Sequence, residues 1–488
     1  LAVAGAMGML WSVALTLGLV LARIPLRPAL LLAGSAIPAL AVATSPRLRR
    51  ALVAQVRDVR VPLSTALAVT LTIGGLALPL FTTQRGLPTG DVQKAIFWAE
   101  RIRTSHRLPQ YADALRLNRD PADFATPGLH ALTAAVIVIS GDSYRGPAAF
   151  SLIAALILAG LAATIASMLL PRSNREQAPQ TFEVPLFAFL FAATNPRFLR
   201  YTAGPGYHYQ NLIGEVLLVL ALVLLFKTVS GRGELRALLG AGAALAFLPT
   251  VHQFTTFLAI PLVGTLLAVL AVRHRGEVAS IVLKMPRRHR RSLFAGMLIV
   301  ALAAFFVLAD GPFSRKLPHV FTTTPHLRPY VVAASAFPSF FGVPFFLLSA
   351  AGALVVLVLL WDRKLEWRWW LLLLWVGGLL LLSQGARWIL DIPSARTMFY
   401  LTTPFSIFGA VLAARALNAV QRTWPRSKGF LLPAALAALL APTVGVPLNA
   451  AVQTIDHALQ TNSTLTPETL DLLDFLKRTP PLCSPPNA

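Results

Sequence analysis

Apolar runs of helix length recur from one end of the chain to the other, separated by short polar stretches. They lie near 1–22, 28–44, 61–81, 147–170, 182–196, 211–226, 237–251, 254–272, 293–309, 338–361, 369–383, 399–414 and 430–447. A run of about 20 apolar residues crosses a bilayer as a helix, because only a helix closes its own backbone hydrogen bonds in lipid. The pattern predicts an all-α, polytopic membrane helix bundle of about 13 spans. Residues 129–140 are equally apolar but too short to cross, and the spacing predicts an interfacial or re-entrant helix there. Residues 1–22 are long enough to span and lack a small-residue cleavage signal, so they read as a retained helix rather than a signal peptide.

Composition agrees with this pattern. The 488 residues are 56% hydrophobic and only 13% charged, too few charges to coat a soluble core of this size. The formal net charge of +23 would suggest a nucleic-acid partner in a soluble protein. In a membrane protein the positions of the charges give it another meaning. Arg47 to Arg60, Arg172 and Arg175, Lys227 to Arg236, Arg273 to Arg291, Arg363 to Arg368 and Arg415 to Lys428 occupy loops that the predicted spans place on one face. The positive-inside rule makes that face cytoplasmic, and the net charge then meets anionic lipid rather than nucleic acid. Asp91, Glu100, Asp113, Asp120, Asp123, Asp142, Asp310, Asp391, Asp456, Glu468, Asp471 and Asp474 fall on the opposite face. The chain is therefore expected to lie in the cytoplasmic membrane as a multi-pass protein, working at its extracytoplasmic side.

Four sections follow: membrane helices over 1–60, a module over 61–230 carrying the outer loop 82–146, further membrane helices over 231–447, and a short outer tail over 448–488. Cys483 is the single cysteine, which excludes an internal disulfide and a cysteine metal cluster. A P-loop, GxGxxG, HExxH or CxxC pattern is absent, which argues against ATP-driven transport and HExxH zinc proteolysis in this chain.

The outer loop 82–146 holds the most informative polar residues. Pro88-Thr89-Gly90 closes the third span, and Thr89 or Asp91 can cap a helix with Ala95, Trp98, Ala99 and Ile102 on one stripe. Such a helix is expected to lie in the interface with its ring face toward lipid, presenting Asp91 at the membrane surface. Elsewhere, Glu215 is an acid one turn inside its span, near enough to the end to be solvated. His208 and His252 stand at span ends, where either ligation or packing would account for them. Trp369, Trp370 and Trp388 fit aromatic belts. Asp120 and Asp123 suit a turn, Asp91 a helix cap, and Arg396 snorkelling at a span end.

The order of these features resembles the first half of the C-type integral-membrane glycosyltransferases, which include protein mannosyltransferase and aminoarabinose transferase relatives. Asp91 at a Gly/Pro turn, Trp98-Ala99 with Ile102, Leu108-Pro109, Thr126-Pro127-Gly128-Leu129 and Gly141-Asp142-Ser143 carry the resemblance. Looser matches are Leu199-Arg200-Tyr201 with Tyr207-His208-Tyr209, and Ser394-Ala395-Arg396 leading into Phe399-Tyr400-Leu401-Thr402-Thr403-Pro404. Asp91 is followed by Val92 rather than by a second acid, and Ala203-Gly204-Pro205-Gly206 lacks the carboxylate common at that turn.

The resemblance implies transfer of a sugar from a polyprenyl-phosphate carrier to an acceptor lipid, glycan or protein. It implies Asp91 as catalytic base or metal ligand, and Arg396, with Arg200 and Arg387, as phosphate-binding residues. His208, His130 and Tyr207 would contact substrate. A divalent metal ion remains open, with Asp91 and His208 as candidate ligands. Two other readings stay open: an O-antigen polymerase or ligase-like enzyme, and a transporter or flippase of envelope lipids. A non-catalytic membrane scaffold would retain the same layout.

Overall fold

The computed structural model describes residues 2–46, 50, 70, 91–108, 126–143, 145–170, 183–195, 209–227, 235–273, 331–362, 364–366, 368–387 and 394–424. The expected spans at 61–81 (residue 70 apart), 293–309 and 430–447, the tail, Arg200, Tyr207, His208, Asp120, Asp123 and Trp388 lie outside these residues.

All regular structure among the described residues is helical. In chain order the helices are α1 (Ala2–Leu21), α2 (Pro28–Thr44), α3 (Asp91–Ser105), α4 (Pro127–Ser140), α5 (Arg145–Leu169), α6 (Glu183–Thr194) and α7 (Tyr209–Lys227). They continue with α8 (Leu235–Val251), α9 (Gln253–Arg273), α10 (Phe337–Phe341), α11 (Val343–Trp361), α12 (Arg368–Ser383), α13 (Ser394–Phe399) and α14 (Thr402–Thr423). Local chemistry accounts for several boundaries. Pro127 opens α4, where its missing N–H costs nothing, and Gly141 closes it at φ 69°, donating its N–H to Ile137 O.

Helix α7 is the hub. Its residues from Asn211 to Phe226 are all buried inside the bundle. It packs against α5, α8, α9 and α1, while α6 and α14 extend the bundle beyond α5 and α11 closes the far side of α14. Helix α11 is apolar all round yet only half covered. Leu347, Leu354, Leu357 and Val358 are exposed on the face away from α14, and such a bare apolar stripe is stable against lipid but not against water. Ala2–Leu21, Arg145–Leu169, Val343–Trp361 and the run Ser394–Thr423 are each long and apolar enough to cross a membrane. Membrane association follows from them.

Three local expectations are corrected by packing. The stripe Ala95, Trp98, Ala99 and Ile102 does not face lipid: it is buried, and α3 packs on α4. An apolar stripe takes whichever apolar surface reaches it first, and α4 supplies one with Leu129, Leu132 and Ile137. Glu215 is fully buried rather than solvated, because α7 is surrounded by other helices and not at the edge. Trp369 is not part of a belt; it is buried and donates its indole N–H to Leu169 O at 3.1 Å, while Trp370 remains exposed.

Candidate functional site

Polar side chains are scarce in this bundle, and several of the buried ones lie where four helix ends meet. These are the starts of α7 and α14, the α8–α9 junction, and the start of α4, whose backbone at Gly128 lies against the Thr250 side chain. Asn211 and Glu215 stand four residues apart on α7, hence on one face. Gly214 lies between them at the closest approach to α9. A Cβ there would fall 2.5 Å from Thr255 Oγ1 and 2.9 Å from His252 Cβ, so only glycine lets the helices meet.

On one side of Gly214, Thr403 Oγ1 donates to Glu215 Oε1 at 2.8 Å. On the other, His252 precedes the first turn of α9 and acts as its cap: the Thr255 N–H donates to His252 Nδ1 at 3.3 Å. An Nδ1 that accepts an N–H presents a lone pair, so Thr255 Oγ1, 2.6 Å away, donates to it as well. Thr255 Oγ1 in turn accepts from the Tyr400 hydroxyl, making a relay Tyr400–Thr255–His252 that ties the turn between α13 and α14 to the start of α9. Tyr400 OH also lies 3.4 Å from Nδ1. Replacing Tyr400 with Phe is expected to cost about 1–3 kcal/mol by leaving Thr255 without its donor. An unchanged thermal unfolding midpoint in the Phe variant would mean that the relay holds nothing in place.

Tyr400 directly follows the short α13, which bears Arg396. The other end of α13 is also tied: Ser394 Oγ accepts from the Val332 N–H at 3.1 Å, and Gln384 Nε2 donates to Val332 O at 3.1 Å. Arg396, half-buried, is thus carried by a helix pinned at both ends. Arg387 is exposed in the turn Gly385–Arg387 after α12, which packs on α13, so the two predicted arginines share a neighbourhood. His130 is buried on α4 with Nε2 3.3 Å from Thr126 Oγ1, and it faces the bundle rather than open solvent.

Asp91 is the first residue of α3, as the turn chemistry predicted, and α3 touches the hub helix α7 as well as α4. The far end of α3, roughly 20 Å away at 1.5 Å per residue, borders a groove of about 800 Å³ lined by Leu26, Ile96, Arg103, His106, Val138 and Ser143. There Glu100 accepts from Ser143 Oγ at 2.5 Å and pairs with Arg103 Nε at 2.6 Å. This pair ties the loop helix to the turn after α4 and is separate from Asp91. Among the described residues, three or more His, Cys, Asp or Glu side chains do not gather into a metal site.

Sequence reading singled out Glu215 and His252 but missed their partners Thr403 and Thr255, and the buried Asn211 on the same face as Glu215. The Asn211–Glu215 spacing was the available signal, since two polar residues four apart in an apolar span share one face. His252 and Thr255, three apart at the start of α9, carried the local signal of a helix cap. The pairing of Glu215 with Thr403 had none, because it joins separate helices. Comparison with protein-family models, with curated proteins and with solved structures finds no match to this chain.

Proposed function

We propose that this chain is a multi-pass membrane glycosyltransferase of the cell envelope, moving a sugar from a polyprenyl-phosphate carrier to an acceptor hydroxyl at the extracytoplasmic face of the cytoplasmic membrane. The observation that carries the reading is the place of Asp91. It is a lone acid opening the first helix of the outer loop, on an element packed against the hub of the bundle. The resemblance of 82–146 and of 394–404 to the C-type enzymes supports it.

The chemistry asks two things of the protein. The acceptor hydroxyl loses a proton as the glycosidic bond forms, and the carrier phosphate leaves with its charge. Asp91 serves as general base and accepts the proton; in the alternative, Asp91 and His208 would hold a divalent metal ion that makes the hydroxyl more acidic. Arg396, supported by Arg387 and Arg200, pairs with the phosphate, for which a guanidinium offers two parallel hydrogen bonds. His130, Tyr207 and His208 are the remaining candidates for sugar contact. Pinning of α13 at Ser394 and Tyr400 would hold Arg396 in place before the carrier arrives.

The test is release of free polyprenyl phosphate from labelled carrier-linked sugars by the purified chain in lipid nanodiscs. Release should require Asp91 and an acceptor. Equal release by Asp91→Asn would remove the acid from the mechanism.

One observation favours a second reading, transport. Glu215 is a fully buried carboxylate in an apolar helix, and α8 and α9 each carry a proline inside the helix, Pro249 and Pro261. Movement of labelled envelope lipid across proteoliposomes, without carrier breakdown, would support that reading over the first.

A further inference from the structure

We propose that Asn211, Glu215 and Thr402 form a binding site for a small monovalent cation, with sodium as its natural probe. This inference holds under either functional reading, because it rests on the bundle interior and not on Asp91 or Arg396.

Glu215 and Asn211 are both fully buried, and α7 places them on one face. Among the described residues, Glu215 has one hydrogen bond, from Thr403 to Oε1, and its Oε2 has no partner. Both polar atoms of the Asn211 amide are likewise buried without partners, and so is Thr402 Oγ1, beside Thr403 at the start of α14. Asn211 and Glu215 share one face of α7, and Thr402 adjoins the Thr403 that reaches Glu215; leaving such buried groups unpaired costs about 1–3 kcal/mol each.

The donor set selects the ligand. Glu215 Oε2, Asn211 Oδ1 and Thr402 Oγ1 are hard oxygens, which suit an alkali or alkaline-earth ion and not a soft metal. With one carboxylate and otherwise neutral donors, the charge balances a monovalent ion and leaves a divalent one half uncompensated. A lysine or arginine does not pair with Glu215 among the described residues. The start of α14 supplies at most about half a positive charge, too little to neutralise a carboxylate by itself. A sugar or headgroup is too large for side chains that are entirely enclosed. A bare or singly hydrated ion is not, and an accompanying water would accept from Asn211 Nδ2.

The full chain in nanodiscs, in mildly alkaline buffer, is unfolded by heat in sodium, potassium or choline chloride at matched ionic strength. Sodium, or potassium at higher concentration, should raise the midpoint saturably by a few degrees, as a ligand of the folded state does, and choline should not. Glu215→Gln should abolish that response while unfolding in choline at a midpoint near wild type. Asn211→Leu replaces an unpartnered amide by an apolar group of similar shape. It should fold at least as stably in choline, with half-saturation raised about tenfold or more. Identical wild-type midpoints in all three salts would overturn the proposal. So would a sodium response that survives in Glu215→Gln, since the ion would then sit elsewhere.

Discussion

Asp91→Asn is expected to lower sugar transfer by about 10²–10⁴-fold, the usual contribution of a positioned general base. The substitution is informative because asparagine starts a helix as well as aspartate does. If Asp91 only begins α3, the Asn variant should fold, insert and transfer normally. If it takes the acceptor proton, folding is kept and turnover is lost. Asp91→Glu should recover part of the rate, because the carboxylate returns about one bond length out of place. Thermal unfolding of both variants beside wild type, with carrier turnover measured on the same preparations, separates the outcomes. A fully active Asn variant with an unchanged midpoint would reduce Asp91 to a helix start and withdraw the transferase mechanism.

Gly352→Ala is expected to cause the largest loss of stability of any single methyl addition in the described bundle. Gly352 on α11 faces the backbone of α14, and a Cβ there would collide with the Phe408 carbonyl oxygen and carbon. A flexible side chain could step aside; a helix backbone cannot. Ser349, buried one turn earlier, and Gly409 on the facing helix complete a seam of small residues along which the two helices approach closely. In lipid such contact is a main source of helix association, so parting the helices loses it directly. The cost should reach or exceed the upper end of about 1–3 kcal/mol for overpacking. Gly377→Ala on α12 is the control, since nothing lies within 4 Å of a Cβ there. It should be neutral or stabilising, by at most about 1 kcal/mol from helix propensity. Matching midpoints for the two variants would mean that the α11–α14 seam is loose.

Much of the fold could be read in advance because its causes are local. An apolar run of the right length forms a helix whatever surrounds it, so α1, α2, α5, α7, α8, α9, α11 and α12 lie close to where hydropathy alone predicts them. The helix beginning at Asp91 was equally legible, since a helix start acts within its own few residues. The direction each stripe faces was not. The ring face of α3 has the pattern of an interfacial helix, yet it is spent on α4, because apolarity specifies burial without naming the partner. For the same reason Trp369 was read as a belt residue although it closes a hydrogen bond to Leu169 from inside the bundle.

The candidate site divides along the same line. Residue types and order placed an acid at the head of the outer loop and an arginine before a late span, and covalent neighbours suffice for that. Glu215 could be recognised as an acid in an apolar span, but not as one enclosed on every side with a single donor, Thr403, 188 positions away. Nor could Tyr400 be joined to Thr255 across 145 positions. Helix formation and the signs of the loops are written in short-range chemistry. The meeting of Glu215 with Thr403 and of Thr255 with Tyr400 depends on how α7, α9 and the segment around Tyr400 come together, and Gly214 lets α7 approach the start of α9 by having no side chain to prevent it.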